Sequence, residues 1–184
     1  MSSKCIVFGA GIGLALVVLL ALGCADVGYY RQAVSGQWQL LSLRQPLATV
    51  RDDPATPAAL RERLSLAGKI REFAVEELGL PDNGSYRSYV DLARPYVVRN
   101  VFAAPALSLE PEQWCFPVAG CVSYRGYFDE AAAERTAAAL RERGYDVFIG
   151  NVPAYSTLGW FSDPLLNTFI DWQPGRLAEL IFHE

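Results

Sequence analysis

The single histidine of this 184-residue sequence stands beside a glutamate, as His183 and Glu184. A His-Glu pair on a helix forms the first half of the pattern His-Glu-x-x-His, in which two imidazoles one turn apart bind zinc and the glutamate acts as a general base. The second histidine of the pattern does not follow. Taken alone, the pair is more typical of an exposed helix end, so its chemistry has to be judged from the rest of the chain.

A helix near residue 174 is needed to position this pair. Pro174 suits a first helical turn, and Leu177, Leu180 and Ile181 recur at the spacing of one helix face. Further upstream, the pattern predicts an amphipathic helix within 60–78 that follows an N-cap at Thr56. A strand is predicted over 96–102, and two more strands around a bend near residue 118. A helix over 130–143, capped by Asp129, and a buried strand over 145–150 follow. The order strand, helix, strand predicts an α+β fold with a small mixed sheet and flanking helices.

The N-terminal segment predicts export. Residues 5–23 contain no charged side chain, and Leu20-Ala21-Leu22-Gly23 leads directly into Cys24. This exit resembles a bacterial lipobox, which implies cleavage before Cys24, attachment of lipid to its thiol, and a membrane-anchored protein that faces the periplasm. An uncleaved transmembrane anchor and a conventional cleaved signal remain alternatives, because the run is nearly long enough to span a bilayer.

Two classes of ligand are disfavoured. The glycines of residues 9–13 look like a dinucleotide-binding turn, but Leu14 stands where the fingerprint requires glycine, and more apolar residues follow. A formal net charge of -4, with Lys and Arg scattered along the chain, argues against a nucleic-acid surface. We therefore expect neither a nucleotide nor a nucleic-acid partner.

Two cysteines in the predicted exported body could form a disulfide. Cys115 and Cys121 are separated by five residues, and an oxidising compartment would permit a bond between them. Two buried free thiols remain the alternative, because so short a loop demands specific geometry.

The segment 155–164 is rich in aromatic residues and could border a substrate cleft. Tyr155 and Trp160 offer stacking surfaces and polar tips, although such residues more often anchor a loop to the core. Ser156 has no histidine available as a base except His183, so a serine-hydrolase triad is unsupported.

Several long blocks of the sequence together carry a resemblance to one protein family. They are Tyr29-Tyr30-Arg31-Gln32-Ala33 with Gly36-Gln37, Arg71-Glu72-Phe73-Ala74, Leu80-Pro81-Asp82-Asn83-Gly84-Ser85-Tyr86, Trp114-Cys115-Phe116-Pro117-Val118-Ala119-Gly120-Cys121, Tyr124-Arg125-Gly126-Tyr127-Phe128, and Tyr155-Ser156-Thr157-Leu158-Gly159-Trp160-Phe161. These blocks resemble the bacterial putative aminopeptidase family, predicted zinc metallopeptidases with lipoprotein-type N-termini. In that family a helix bearing Phe-His-Glu-Leu-Ala-His comes next, and Phe182-His183-Glu184 matches its first three residues.

The resemblance implies a zincin-like peptidase in which His183 is the first zinc ligand and Glu184 the general base, acting on peptides from their N-terminus. On this interpretation residues 1–23 are the signal or anchor, and residues 24–184 are the N-terminal portion of a peptidase domain that ends inside the motif. Because one imidazole cannot hold a catalytic zinc, we expect this polypeptide by itself to bind zinc poorly and to be inactive. A second hypothesis is a non-catalytic exported lipoprotein that binds or scaffolds partners through its aromatic loops.

Overall fold

This computed structural model describes residues 27–116, 120–157 and 161–183, which form helices and mostly short strands. In chain order they are α1 (27–42), β1 (Gln45–Pro46), α2 (Leu47–Asp52), α3 (Ala58–Glu76), β2 (Ser88–Val90), β3 (Val98–Pro105), β4 (Trp114–Phe116), β5 (Gly120–Val122), β6 (Arg125–Tyr127), α4 (Glu130–Glu142), β7 (Tyr145–Val152), β8 (Leu165–Leu166) and α5 (Pro174–His183). The α+β class is confirmed.

The main core lies between the small sheet β1-β2-β8 and the helices α1, α2, α3 and α5. In this sheet β2 pairs antiparallel with β1 and parallel with β8. Leu64 of α3, Leu165 of β8 and Leu177 of α5 are fully buried in the core. Contacts between α3 and α5 fix the direction of the helix that ends at His183, so this core positions the candidate site.

The second sheet has the order β6-β3-β7 and packs against α4. Both outer strands run antiparallel to β3, so β6 and β7 are parallel to each other with β3 between them. The predicted strand, helix, strand crossover is therefore present as β6-α4-β7, with a third strand inserted. A separate core forms where Val101 and Tyr127 meet Ala133 and Ala137 of α4.

A disulfide closes the hairpin β4-β5. The two strands pair antiparallel with Cys115 opposite Cys121, and the structure joins their Sγ atoms across a Cα separation of 3.9 Å. The bend residues 117–119 lie outside the described part of the chain. The hairpin packs against α1 through the rings of Phe116 and Tyr29, whose centroids are 5.6 Å apart.

Several element predictions differ from the structure. The strand predicted as buried over 145–150 extends to Val152, and none of its residues is fully buried. The strand predicted over 96–102 begins at Val98 and continues to Pro105, because β7 pairs with it along eight residues. The predicted cap of α3 is wrong: the helix begins at Ala58, and Thr56 instead donates from Oγ1 to the carbonyl of Val50 at 2.7 Å. The predicted cap of α4 is confirmed, since Asp129 accepts a hydrogen bond from the Ala131 N–H at 2.9 Å.

The predicted signal, with its run 5–23 and Cys24, lies outside the described residues. Across residues 27–116, 120–157 and 161–183, none of the helices combines the length and the apolar character that a membrane span requires.

Candidate functional site

His183 is the last described residue of α5 and is exposed. The helix begins at Pro174, as predicted, and buries Leu177 and Ile181 one turn apart against the main core. This buried face fixes the rotation of the helix about its axis, because apolar residues four apart lie on one side of it. His183 is consequently held at the surface, at the point where the helix meets α3. Glu184 lies outside the described residues.

A cavity of about 240 Å³ lies beside His183, between the ends of α3 and α5 and the segment 80–86; we call it the α3–α5 cavity. Its floor is buried, and its apolar walls come from both helices and from the segment that follows α3. The residues that line it are Arg71, Ala74, Val75, Leu80, Pro81, Asn83, Ser85, Tyr86, Ile181, Phe182 and His183.

Arg71 holds the wall of this cavity that faces α5. From α3 its guanidinium donates to the carbonyl of Ser85 at 3.0 Å, to the carbonyl of Asn83 at 2.5 Å and to the carboxylate of Asp82 at 2.5 Å. The Arg71 side chain is only 14% exposed, whereas Asp82 is exposed. Hydrogen bonds from the charged donor hold Asp82 with its pKa below the ordinary value. One side chain therefore ties the whole turn 82–85 to α3.

A second groove borders His183 along the outer surface of α5; we call it the α5 groove. It is lined by Trp172, Arg176, Glu179, Leu180 and His183 and has a volume of about 410 Å³. The Arg176 guanidinium lies over the Trp172 ring, with its Cζ 3.9 Å from the ring centroid, as in a cation–π contact. His183 thus stands on the ridge between the α3–α5 cavity and the α5 groove.

His183 suits the role of one metal ligand, because its imidazole is exposed and makes no hydrogen bond within the described part of the chain. A catalytic zinc takes three protein ligands. Among residues 27–116, 120–157 and 161–183, no three His, Cys, Asp or Glu side chains are grouped closely enough to hold a metal ion. A metal ion bound at His183 would therefore need ligands from groups outside these residues.

Tyr155 is anchored to the core instead of lying free at a cleft. Its hydroxyl donates to the side-chain carbonyl of Gln37 on α1, and its ring meets Phe128 edge to face at 5.8 Å. Burial raises the pKa of the Tyr155 phenol, and the negative charge of Asp163 raises it further. These contacts are typical of an aromatic loop anchor. Trp160, the other predicted cleft residue, lies outside the described residues.

Asp163 organises the same loop and was not singled out from the sequence. Its carboxylate accepts hydrogen bonds from the N–H and the hydroxyl of Thr157, each at 3.0 Å. Its backbone binds the wall of the α3–α5 cavity, since Tyr86 N–H donates to its carbonyl at 2.6 Å and its own N–H donates to Ser85 Oγ at 3.2 Å. Burial raises the pKa of the Asp163 carboxyl, and the Thr157 hydrogen bonds oppose that rise. The available signal was the pair Asp163-Pro164, because an aspartate before a proline favours a turn.

A further cleft, of about 410 Å³, lies along α1 and includes Arg31, Gln32, Gln39 and Asp129 in its lining. It is at least as spacious as either cleft at His183, yet its lining contains no histidine or cysteine. The single histidine of the sequence borders the two clefts at the end of α5, which favours them over the α1 cleft as the candidate site.

No curated protein and no solved structure shows significant similarity to this chain. A family model described as "Putative aminopeptidase" matches residues 28–184, which is most of the chain and includes every described element from α1 to α5. The chain therefore belongs to this aminopeptidase family.

Proposed function

We propose that this chain contributes the first metal ligand and the general base of a zinc aminopeptidase that is anchored to a membrane. The observation that carries the proposal is the place of His183, exposed on the ridge between the α3–α5 cavity and the α5 groove. Family membership supports the class of reaction, hydrolysis of a peptide at its N-terminus. A peptide that crosses this ridge would bring a carbonyl to the imidazole.

Each residue of the pair has a defined role in this proposal. His183 binds zinc through one imidazole nitrogen, and Glu184 accepts a proton from the attacking water through its carboxylate. The zinc, when bound, makes that water acidic enough to lose a proton near neutral pH. The 184 residues contain one histidine, so we expect a polypeptide of these residues alone to bind zinc weakly and to be inactive.

The experiment compares the protein expressed from its complete gene with its His183→Ala variant. Zinc content is measured by mass spectrometry of the metal, and hydrolysis is followed with aminoacyl p-nitroanilides. We expect about one zinc per chain and release of nitroaniline, and loss of both in the variant. A complete protein that hydrolyses these substrates equally well without His183 would contradict the proposal.

Membrane attachment is proposed separately, through lipid on the Cys24 thiol. The Cys24→Ser variant should leave the membrane fraction or accumulate as an uncleaved precursor, because the thiol is the point of lipid attachment. A variant whose fractionation and N-terminus are both identical to those of the wild type would contradict the lipid anchor and favour the uncleaved helix.

One observation favours the second candidate function, a non-catalytic binding module. On the face of the second sheet that points away from α4, Phe102 contacts Tyr124 and Phe148, with ring centroids 5.8 and 6.2 Å apart. Phe148 is 67% exposed and Tyr124 42% exposed. Exposed aromatic clusters of this kind are found at binding surfaces. A complete protein that neither binds zinc nor hydrolyses any aminoacyl substrate would favour this role.

A further inference from the structure

The most buried residues that line the α3–α5 cavity are largely apolar. They are Ala74, Tyr86 and Ile181, which are only 4%, 7% and 6% exposed. Val75 and Phe182 add apolar surface on the two helices that flank it. Binding of an apolar group in a concave site with these walls is favourable, because it removes apolar surface from water.

Three polar side chains that line the cavity, those of Arg71, Asn83 and Ser85, are already hydrogen-bonded within the protein. The Arg71 guanidinium is bound by two carbonyls and by the Asp82 carboxylate. The Ser85 hydroxyl accepts from the Asp163 N–H, and the Asn83 side-chain carbonyl accepts from the Ser85 N–H at 3.0 Å. A charged ligand group would lose its water here without gaining a counter-charge, which is costly. The cavity therefore discriminates against charged occupants.

The volume of the cavity matches one side chain. A protein cavity of roughly 150 Å³ lined by aliphatic side chains can hold a benzene molecule, so about 240 Å³ leaves room for a phenyl or isobutyl group. His183 lies on the rim. A peptide whose first peptide bond lies at His183 would have its N-terminal side chain directly beside this opening.

We propose that the α3–α5 cavity binds the side chain of the substrate's N-terminal residue and selects bulky apolar residues such as Phe and Leu. This inference rests on the proposed aminopeptidase function. The sizes of the Val75 and Ala74 side chains, which line the cavity from α3, limit the size of the substrate side chain that fits.

The test uses the complete protein and a series of aminoacyl p-nitroanilides that differ only in the N-terminal side chain: Ala, Leu, Phe, Lys and Glu. We expect kcat/KM for Phe and Leu to exceed that for Ala by about 10-fold or more, and Lys and Glu to be the poorest substrates. Val75→Phe places a ring in the cavity and should lower the Phe-to-Ala ratio of kcat/KM by roughly 10-fold. Val75→Ala enlarges the cavity and provides a second variant if Val75→Phe folds poorly.

Glu76→Phe is the matched control, because it adds the same ring at the next position of α3 and Glu76 is exposed and does not line the cavity. Its Phe-to-Ala ratio should equal that of the wild type. Hydrolysis in which neither Val75 variant changes the ratio would overturn the cavity assignment and leave the proposed function standing. Absence of hydrolysis for every substrate would instead overturn the proposed function.

A binding measurement gives a readout that does not depend on turnover. L-phenylalaninamide titrated into zinc-free protein should perturb the NMR methyl signals of Ala74, Val75 and Ile181, and Val75→Phe should weaken that binding. Saturable binding that leaves these three methyl signals unchanged would place the apolar side chain elsewhere and contradict the inference.

Discussion

Replacing Arg71 with methionine should destabilise the protein by removing the tie between α3 and the turn 82–85. Methionine keeps most of the aliphatic stem and removes the donors to the carbonyls of Ser85 and Asn83. Hydrogen bonds from a charged donor contribute roughly 1.5–3 kcal/mol each, and less where water competes. Because Asn83 is exposed, we expect a total loss of about 2–3 kcal/mol in the free energy of unfolding. The ion pair with Asp82 adds little, since that carboxylate is solvated.

Thermal unfolding followed by circular dichroism measures this loss. A change of 1 kcal/mol shifts Tm by roughly 2–4 °C in a domain of this size, so Arg71→Met should lower Tm by about 4–12 °C. Arg87→Met is the matched control, because Arg87 donates to the same Asp82 oxygen, is 57% exposed and binds neither carbonyl of the turn. Its Tm should remain close to that of the wild type. Equal Tm values for the two variants would refute the assignment of Arg71 as the tie of the cavity wall.

Three further predictions concern groups near the candidate site or the hairpin. Tyr155→Phe should cost about 1–3 kcal/mol in urea unfolding, because it leaves the Gln37 carbonyl without its hydrogen bond; unchanged stability would contradict the anchoring role. Asp163 has a folded-state pKa above its unfolded value, so its contribution to stability is present below the unfolded pKa of about 3.9 and is lost as the pH rises through the folded value. The free energy of unfolding of Asp163→Asn should therefore rise relative to that of the wild type as the pH increases from about 3 to about 7. A difference between the two proteins that is constant with pH would refute this. In the double serine variant of Cys115 and Cys121 the free energy of unfolding should fall by about 2 kcal/mol. Alkylation read by mass spectrometry of the peptides should show that the Cys115 and Cys121 thiols become reactive only on reduction; either thiol reactive in the native protein would contradict the bond.

Local features of the sequence predicted local structure well. The Asp129 cap of α4 and Pro174 at the start of α5 were both correctly interpreted, because each acts on its own helix end. Gly36 lies inside α1, and the helix runs through it. A Cβ at this position would lie 2.1 Å from Phe128 Cγ, so the glycine is required by packing and not by a break in the helix.

Long-range partners could not be predicted. The parallel pair β2-β8 joins residues about 75 positions apart, and β1 and β8 have two residues each, too few for any periodicity. The residue types at 82–85 are typical of a turn. Its attachment to Arg71 depends on how the chain folds back onto α3, which no local pattern shows. His183 could be singled out from the sequence as a candidate, whereas the two clefts on either side of it could not, since they form only when the helices and the turn meet.

In the proposed function His183 binds the metal and Glu184 transfers the proton. The most direct test measures zinc content and kcat together in the complete protein carrying Glu184→Gln. Loss of a general base lowers rates by about 10²–10⁴ without removing a ligand, so we predict a full complement of zinc with kcat reduced by this factor. His183→Ala should lose the zinc as well as the activity. Glu184→Gln with undiminished kcat, or His183→Ala with full zinc content, would contradict the account.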